Sequence, residues 1–183
     1  PERARTDRAS RSVCPTGRLD RAGVRTGVPT VMRVPHLHDW PTTEGEALPI
    51  QCALAGHVDT TAPLSRFDLV AGCDIAYHLT EPRLFAAVVV LRAAGLEVVE
   101  ERTVEREVNF PYVPGLLSFR EVPALLDAFA DLRHTPDAVM LDGQGVAHPR
   151  RFGLACHLGL WLGLPCVGCA KSWLVGEYGE PGP

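Results

Sequence analysis

Between Phe67 and Val108 the chain carries three valine-rich segments in immediate succession, Phe67–Tyr77, Leu84–Leu91 and Leu96–Val108, separated by turns at Thr80–Pro82 and Ala93–Gly95. Strands joined by turns this short run antiparallel, because a parallel crossover needs a dozen residues or more. The segments therefore predict a three-strand meander. In the third, Val99, Thr103 and Val108 alternate imperfectly with Glu100, Glu101, Arg102, Glu105 and Arg106, so one face is wet. After the irregular stretch NFPYVPGLL the period becomes helical. Phe119, Val122, Leu125, Leu126, Phe129 and Leu132 form the apolar stripe of a helix from Ser118 to about Arg133. Asp137–Asp142 (DAVMLD) reads as a short buried strand, followed by the glycine loop GQGVAH, a helix opened by Pro149 and running through Gly163, and a last strand, Leu164–Cys169. Upstream, Ala47, Ile50, Leu54 and Val58 recur at helical spacing in a helix over Thr43–Val58 that Pro49 interrupts. A meander followed by helix, strand, helix and strand implies an α/β mixed sheet with helices packed on it.

A chain of 183 residues with 46% hydrophobic and 22% charged content can bury the core such a sheet needs. No apolar run reaches the roughly 18 to 20 residues of a membrane helix, so no membrane partner is expected. Charge is unevenly divided. Eight of the 18 basic residues and three of the 22 acidic ones fall in residues 1–33, which leaves the head at +5 and the rest at −9. Residues 1–31, rich in arginine, serine and threonine and without apolar periodicity, read as a disordered basic head ahead of a folded domain over 32–183. Met32 offers a start to that domain, and an arm that grips nucleic acid is the functional alternative for the head. The acidic body argues against a protein that coats phosphate backbone, and leaves room for an enzyme that meets DNA locally through metal ions. Six cysteines without a disulfide framework read as reduced thiols of a cytoplasmic protein. Cys166 and Cys169, with Cys156 and His157, include the residue types of a zinc site, but their apolar surroundings favour packing.

The carboxylates carry the chemical signal. Asp74 stands among apolar neighbours in VAGCDIAY, where an isolated carboxylate is costly unless paired, hydrogen-bonded or bound to a metal. Asp142 ends the fourth strand at the kind of carboxyl-end crevice where open α/β sheets bind ligands. If strands one and four are neighbours, the two aspartates can share a divalent cation, and hard oxygen donors with room for water favour magnesium or manganese over zinc. Plainer readings stand beside these. Asp142 is equally a turn cap, Asp137 a solvated strand start, Tyr112 a core aromatic, and Ser118 with Glu121 an S-x-x-E capping box. His148, between the glycine loop and a helix N-terminus and beside Arg150 and Arg151, suits a phosphate or is an ordinary surface helix start. Lys171 is the one lysine against 17 arginines, which points to a required compact ammonium. A dinucleotide fingerprint in DGQG fails, because GQGVAH has histidine where the third glycine belongs.

Taken together, VAGCDIAY, PYVPGLLSFRE, DGQGVAHPRRFGLACHLG and LPCVGCAKS, in that order over about Asp68–Gly176, resemble the endonuclease V family. The resemblance implies a ribonuclease H-like fold. It also implies Mg2+-dependent hydrolysis, with Mn2+ as substitute, of the second phosphodiester bond 3′ to a deoxyinosine in DNA, which begins repair of deaminated adenine. Asp74 and Asp142 match the metal-binding aspartates, and Glu121 matches a third acidic residue acting on the metal through water. Tyr112 matches a wedge inserted into the duplex, while Gly115, Leu117, Gly143, Gly145 and Gly168 lie in the loops of the hypoxanthine pocket. His148 and Lys171 match positions near the scissile phosphate, with Asp137 and Arg150 supporting. The partner so implied is inosine-containing DNA, met by a monomer in the cytoplasm. Family members continue past the position of Pro183 through a further strand and a helix, with a histidine in a G-H-R-type segment. The resemblance therefore implies a domain lacking that end, with reduced activity or stability. The rival functions are an inosine-specific endoribonuclease and a non-catalytic damaged-DNA binding module.

Overall fold

The computed structural model describes residues 34–172, 174–177 and 179, all within the compact unit Val31–Pro183. The basic head expected over residues 1–31 lies outside the described residues. Along the chain come α1 (Glu44–Ala55), β1 (Leu69–Tyr77), β2 (Arg83–Arg92), β3 (Val98–Glu107), α2 (Leu117–Ala130), β4 (Ala138–Leu141), α3 (Leu154–Leu162) and β5 (Cys166–Gly168). One five-stranded sheet has the order β3-β2-β1-β4-β5. β1, β2 and β3 form the antiparallel meander that their short turns require, and β4 and β5 extend the sheet in parallel with β1. The core lies between one sheet face and the helices. Leu84, Ala86, Val88 and Val90 alternate inward along β2 and pack with Val122, Leu125 and Phe129 of α2 and Leu154, Leu158 and Trp161 of α3. Each large side chain buried there contributes about 1.5–3 kcal/mol.

Local detail departs from the expectations at all three helices. Pro49 does not interrupt α1, because it forfeits a single bond to the Gly45 carbonyl, which stays open to water at an exposed position. Thr43 secures the helix start with a capping box, in which its hydroxyl accepts from Glu46 N–H at 3.4 Å and the Glu46 carboxylate accepts from Thr43 N–H at 3.2 Å. α1 buries Ala47 and Gln51, whereas Ile50, Leu54 and Val58 are only half-buried. Ser118 does not cap α2. The helix starts one residue earlier, and Ser118 turns into the core, 2.9 Å from Nδ1 of His157. It ends at Ala130 and not Arg133, since the Glu100 carboxylate takes the backbone N–H groups of Arg133 at 3.0 Å and His134 at 2.9 Å. Pro149 opens only a turn, with Arg151 at φ 54°, and α3 begins at Leu154. Gly153 sets that start. A Cβ there would fall onto the Gln144 carbonyl, and Gly145 and Gln144 carbonyls accept from Gly153 N–H at 2.9 Å and Ala155 N–H at 3.1 Å. The free helix terminus expected beside His148 is therefore not formed.

The parallel β1–β4 pair positions the site. Cys73 lies opposite Leu141, so Asp74 and Asp142 follow side by side on neighbouring strands. At the other end of the pair, Asp137 Oδ2 accepts from the backbone N–H groups of Asp68 at 2.8 Å and Leu69 at 2.9 Å, with Arg66 Nε 3.6 Å from its other oxygen. Five residues of extended chain, roughly 16 Å, separate Asp137 from Asp142. Asp137 is thus neither a free surface residue nor part of the same cleft. Asp137→Ala leaves two N–H groups without their acceptor and should cost about 1–3 kcal/mol in urea unfolding. An unchanged midpoint would show that water replaces the carboxylate.

Candidate active site

A cleft of about 280 Å³ opens at the carboxyl ends of β1 and β4, flanked by α2 and by the segment that follows β5. Asp74 enters from β1, Asp142 from the end of β4, Glu121 from α2 and Lys171 from beyond β5, with Leu117, Gly143 and Gln144 completing the nearer wall. Four segments far apart in sequence thus deliver three carboxylates and an ammonium to one place. Asp74 lies within β1 but its side chain is exposed at the cleft, so hydration offsets the cost that its apolar neighbours suggested.

Glu121 is the buried member, 6% exposed. Burial pushes its carboxyl up to about 7, and the negative charges of Asp142 and Asp74 push the same way. The Tyr77 hydroxyl, donating to Glu121 Oε1 at 2.8 Å, and the Arg120 guanidinium act in the opposite direction. Lys171 Nζ lies 2.5 Å from Asp142 Oδ2 on an exposed side chain, and that contact raises its pKa. The ammonium shows that Asp142 already takes a cation from the cleft side. Two aspartates reaching an open cleft from adjacent strands are hard oxygen donors. Among the described residues no group of three His, Cys, Asp or Glu side chains converges to chelate an ion. That donor set fits magnesium, which keeps several waters and shares its shell with phosphate, better than zinc. Cys156 is buried, Cys166 half-buried and Cys169 exposed, all as free thiols, and His157 is committed to Ser118 and His38.

The remaining residues fall into two groups. Leu117 and Gly143 line the cleft. Gly145 and Gly168 lie behind it, where a Cβ on Gly168 would collide with the Gly143 carbonyl, so only glycine lets β5 approach the loop. Tyr112 is 71% exposed between Pro111 and Pro114, which overturns the core-aromatic reading. His148 is buried and outside the cleft lining. Its Nε2 donates to the Gly115 carbonyl at 3.0 Å and its Nδ1 accepts from Arg150 N–H at 3.2 Å, an arrangement that requires the neutral ring. Burial, then the Arg150 charge, lowers its pKa accordingly. Arg150 also turns inward, onto Gly115 O at 2.9 Å and Gln51 Oε1. His148 and Arg150 therefore clasp a loop, so Arg150 is not one of the two free guanidiniums, with Arg151, expected to meet a phosphate there. Sequence reasoning missed Tyr77, Arg120 and Gln51. Arg120 stacks 4.8 Å over the Tyr77 ring and donates to Phe110 O at 2.9 Å, linking the cleft to the Tyr112 loop. Gln51 could have been noticed as the polar residue four positions from buried Ala47.

A sheet of three antiparallel and two parallel additions, with acidic side chains at the carboxyl ends of its central strands, defines a ribonuclease H-like α/β protein. Residues 53–183 match the Endonuclease V family model, and the chain belongs to that family. It is 49% identical over 147 residues to Endonuclease V of Dehalococcoides mccartyi, an alignment covering 80% of this chain and 66% of the relative, so the chain spans just under two thirds of that protein's length. The crystal structure of Endonuclease V from Streptomyces avermitilis superposes with a TM-score of 0.73 at 48% identity, over 84% of this chain and 67% of that one. Ciona intestinalis Endonuclease V, in complex with a 24-mer DNA containing an inosine followed by a ribo-adenosine, superposes with a TM-score of 0.64 at 28% identity, over 71% of this chain and 58% of that one.

The raised Glu121 carboxyl has a stability consequence. Its folded pKa of about 7 exceeds the unfolded value of 4.5, so the folded state binds the extra proton and stability falls as pH rises through that window. In chelator, Glu121→Gln should flatten this slope and be the more stable protein at pH 8, by up to about 3 kcal/mol. Thermal unfolding between pH 4.5 and 8 checks this, and parallel curves for the two proteins would refute it.

Proposed function

We propose that the chain is the metal-binding core of an endonuclease that hydrolyses the second phosphodiester bond 3′ to a deoxyinosine in DNA, leaving 5′-phosphate and 3′-hydroxyl ends. The observation that carries this reading is the convergence of Asp74, Asp142, Glu121 and Lys171 on one open cleft in a chain of the Endonuclease V family. The Ciona relative's complex with inosine-containing DNA supports the substrate. Asp74 and Asp142 would hold Mg2+, or Mn2+ in its place, which when bound supplies positive charge to the phosphate and to the departing 3′ oxygen.

The chain's own residues account for the rest. Glu121, with one carboxylate oxygen held by Tyr77, orients water in the cleft, and a carboxyl near 7 suits it to receive a proton. Lys171 exchanges its contact with Asp142 for a phosphate oxygen. Tyr112, exposed between two prolines, is the wedge that fills the gap left by the extruded base. Leu117 and Gly143 offer an apolar wall and open backbone to that base, and Gly115, Gly145 and Gly168 shape the loops behind it. His148 and Arg150 support the site by holding Gly115, and Asp137 supports it from the far end of the strands. The five described cysteines are free, as suits a reducing cytoplasm, and no described helix is long and apolar enough to cross a membrane. The protein acts as a monomer in this reading.

An inosine-specific endoribonuclease is the second reading, favoured by the ribo-adenosine that follows inosine in the Ciona complex. Matched single-inosine oligonucleotides in DNA and in RNA, resolved on denaturing gels, separate the two. Cleavage of DNA at the second 3′ bond in Mg2+, abolished by chelator and reduced at least about a hundredfold in Asp74→Ala or Asp142→Ala, is expected, a loss of roughly 2.7 kcal/mol of transition-state stabilisation. Exclusive RNA cutting would reverse the substrate. Binding without cleavage of either strand would leave a damage-recognition module. Independently of activity, Mg2+ should raise the melting temperature of the parent but not of the Asp74→Ala, Asp142→Ala double variant.

A further inference from the structure

Gln51, on α1, is a side-chain amide with no exposed surface. Such a group costs about 1–3 kcal/mol unless its hydrogen bonds are met. Here they are met by two loops and not by its own helix. Nε2 donates to Gly115 O at 2.9 Å and to Phe152 O at 2.8 Å, while Oε1 accepts from Arg150 Nε. The Gly115 carbonyl receives two further donors, His148 Nε2 at 3.0 Å and Arg150 Nη2 at 2.9 Å. Gly115 sits at φ 79°, and a Cβ on it would lie 2.7 Å from Arg150 Nη2. Three side chains thus converge on one backbone oxygen, and Gln51 is the one that also grips the second loop. That oxygen lies three residues after exposed Tyr112 and two before Leu117 of the cleft wall.

We propose that Gln51 is a positioning residue for base recognition. By fixing the Gly115 peptide against the loop at Phe152, it sets where Tyr112 and Leu117 stand relative to the Asp74–Asp142 cleft. Selectivity for inosine over ordinary bases depends on it, and hydrolysis itself does not. This rests on the proposed function, in particular on the roles given there to Tyr112 and Leu117. The bonds of Gln51 reach the recognition loop and none of the carboxylates, so its loss displaces the reader and spares Asp74 and Asp142. A displacement of about 1 Å is enough to cost a hundredfold at a site that works by placement.

Gln51→Met keeps the volume and removes the amide, and Gln51→Glu keeps the acceptor for Arg150 and removes both donors. For each, the ratio of affinities and of single-turnover cleavage rates for inosine-containing and matched adenine-containing duplexes is compared with the parent, with Ile50→Ala on the same helix as a stability control. A drop of at least tenfold in the ratio for either Gln51 variant, with the Mg2+ concentration for half-maximal cleavage unchanged and the Ile50→Ala ratio equal to the parent's, is expected. An unchanged ratio, or a loss matched by Ile50→Ala, would assign Gln51 to stability alone and overturn the proposal, as would failure of both variants to fold. Tyr112→Ala run alongside separates the two layers. If it lowers the ratio and the Gln51 variants do not, only this inference fails. If the parent shows no preference for inosine, the proposed function falls and takes this with it.

Discussion

Parallel pairing between β1 and β4 is the contact on which the site depends. Four matched residue pairs, from Val70 with Ala138 to Cys73 with Leu141, bring Asp74 and Asp142 out together. A slip of one residue would turn one carboxylate to the opposite face of the sheet. The pairing is short and works against the repulsion of two acids placed side by side. It holds because Val139 and Leu141 are buried beneath the helices, and because Asp137 ties the far end of β4 to the first residues of β1. The hydrophobic core thus holds the register that sets the two carboxylates side by side.

Charge in the cleft is balanced by groups that can leave. Asp142 is matched by the ammonium of an exposed lysine, and Glu121, forced out of water, holds its proton up to about neutral pH. Tyr77 and Arg120 oppose that tendency from fixed positions, and the same Arg120 fastens the backbone at Phe110, where the Tyr112 loop departs. The acidic composition of the body, which counts against general affinity for nucleic acid, is compatible with a local one. The carboxylates that make it acidic include those facing the cleft.

The meander was legible because period-two valine runs joined by turns of a few residues allow one pairing, and α2 was legible from its apolar stripe. The failures share a cause. S/T-x-x-E occurs ahead of both α1 and α2, and at Thr43 it is a real capping box. At Ser118 the same pattern falls inside the helix, because a turn from Val113 to Leu116 starts the helix early and His157 takes the hydroxyl. Local sequence cannot separate these cases, since the difference lies in what packs overhead. Pro149 misled for a similar reason. The start of α3 is set by the approach of the Gln144 carbonyl to a residue with no side chain, Gly153, in a contact between a loop and a helix. Asp74 was recognisable as chemical but not as exposed, because its apolar neighbours serve the sheet while its own side chain serves the cleft.

Recognition of a base imposes a demand on the scaffold that catalysis at the carboxylates does not. An exposed aromatic such as Tyr112 is useful as a wedge only if holding it in place costs little entropy at the moment of binding. Two prolines flank it, and the peptide three residues on is held by a glutamine, a histidine and an arginine at once. If Tyr112 is the wedge proposed above, its ordering is completed on folding and not on contact with the duplex. On that proposal α1, a helix outside the sheet order with few buried positions, belongs to the functional unit. Gln51 on α1 bonds the carbonyls of Gly115 and Phe152, and Gly115 lies three residues after the aromatic. The proposed site is therefore assembled from two halves, a carboxylate pair held by strand register and a Tyr112 loop held by buried polar bonds, which are joined through Arg120 and meet at Leu117 and Glu121 on one helix.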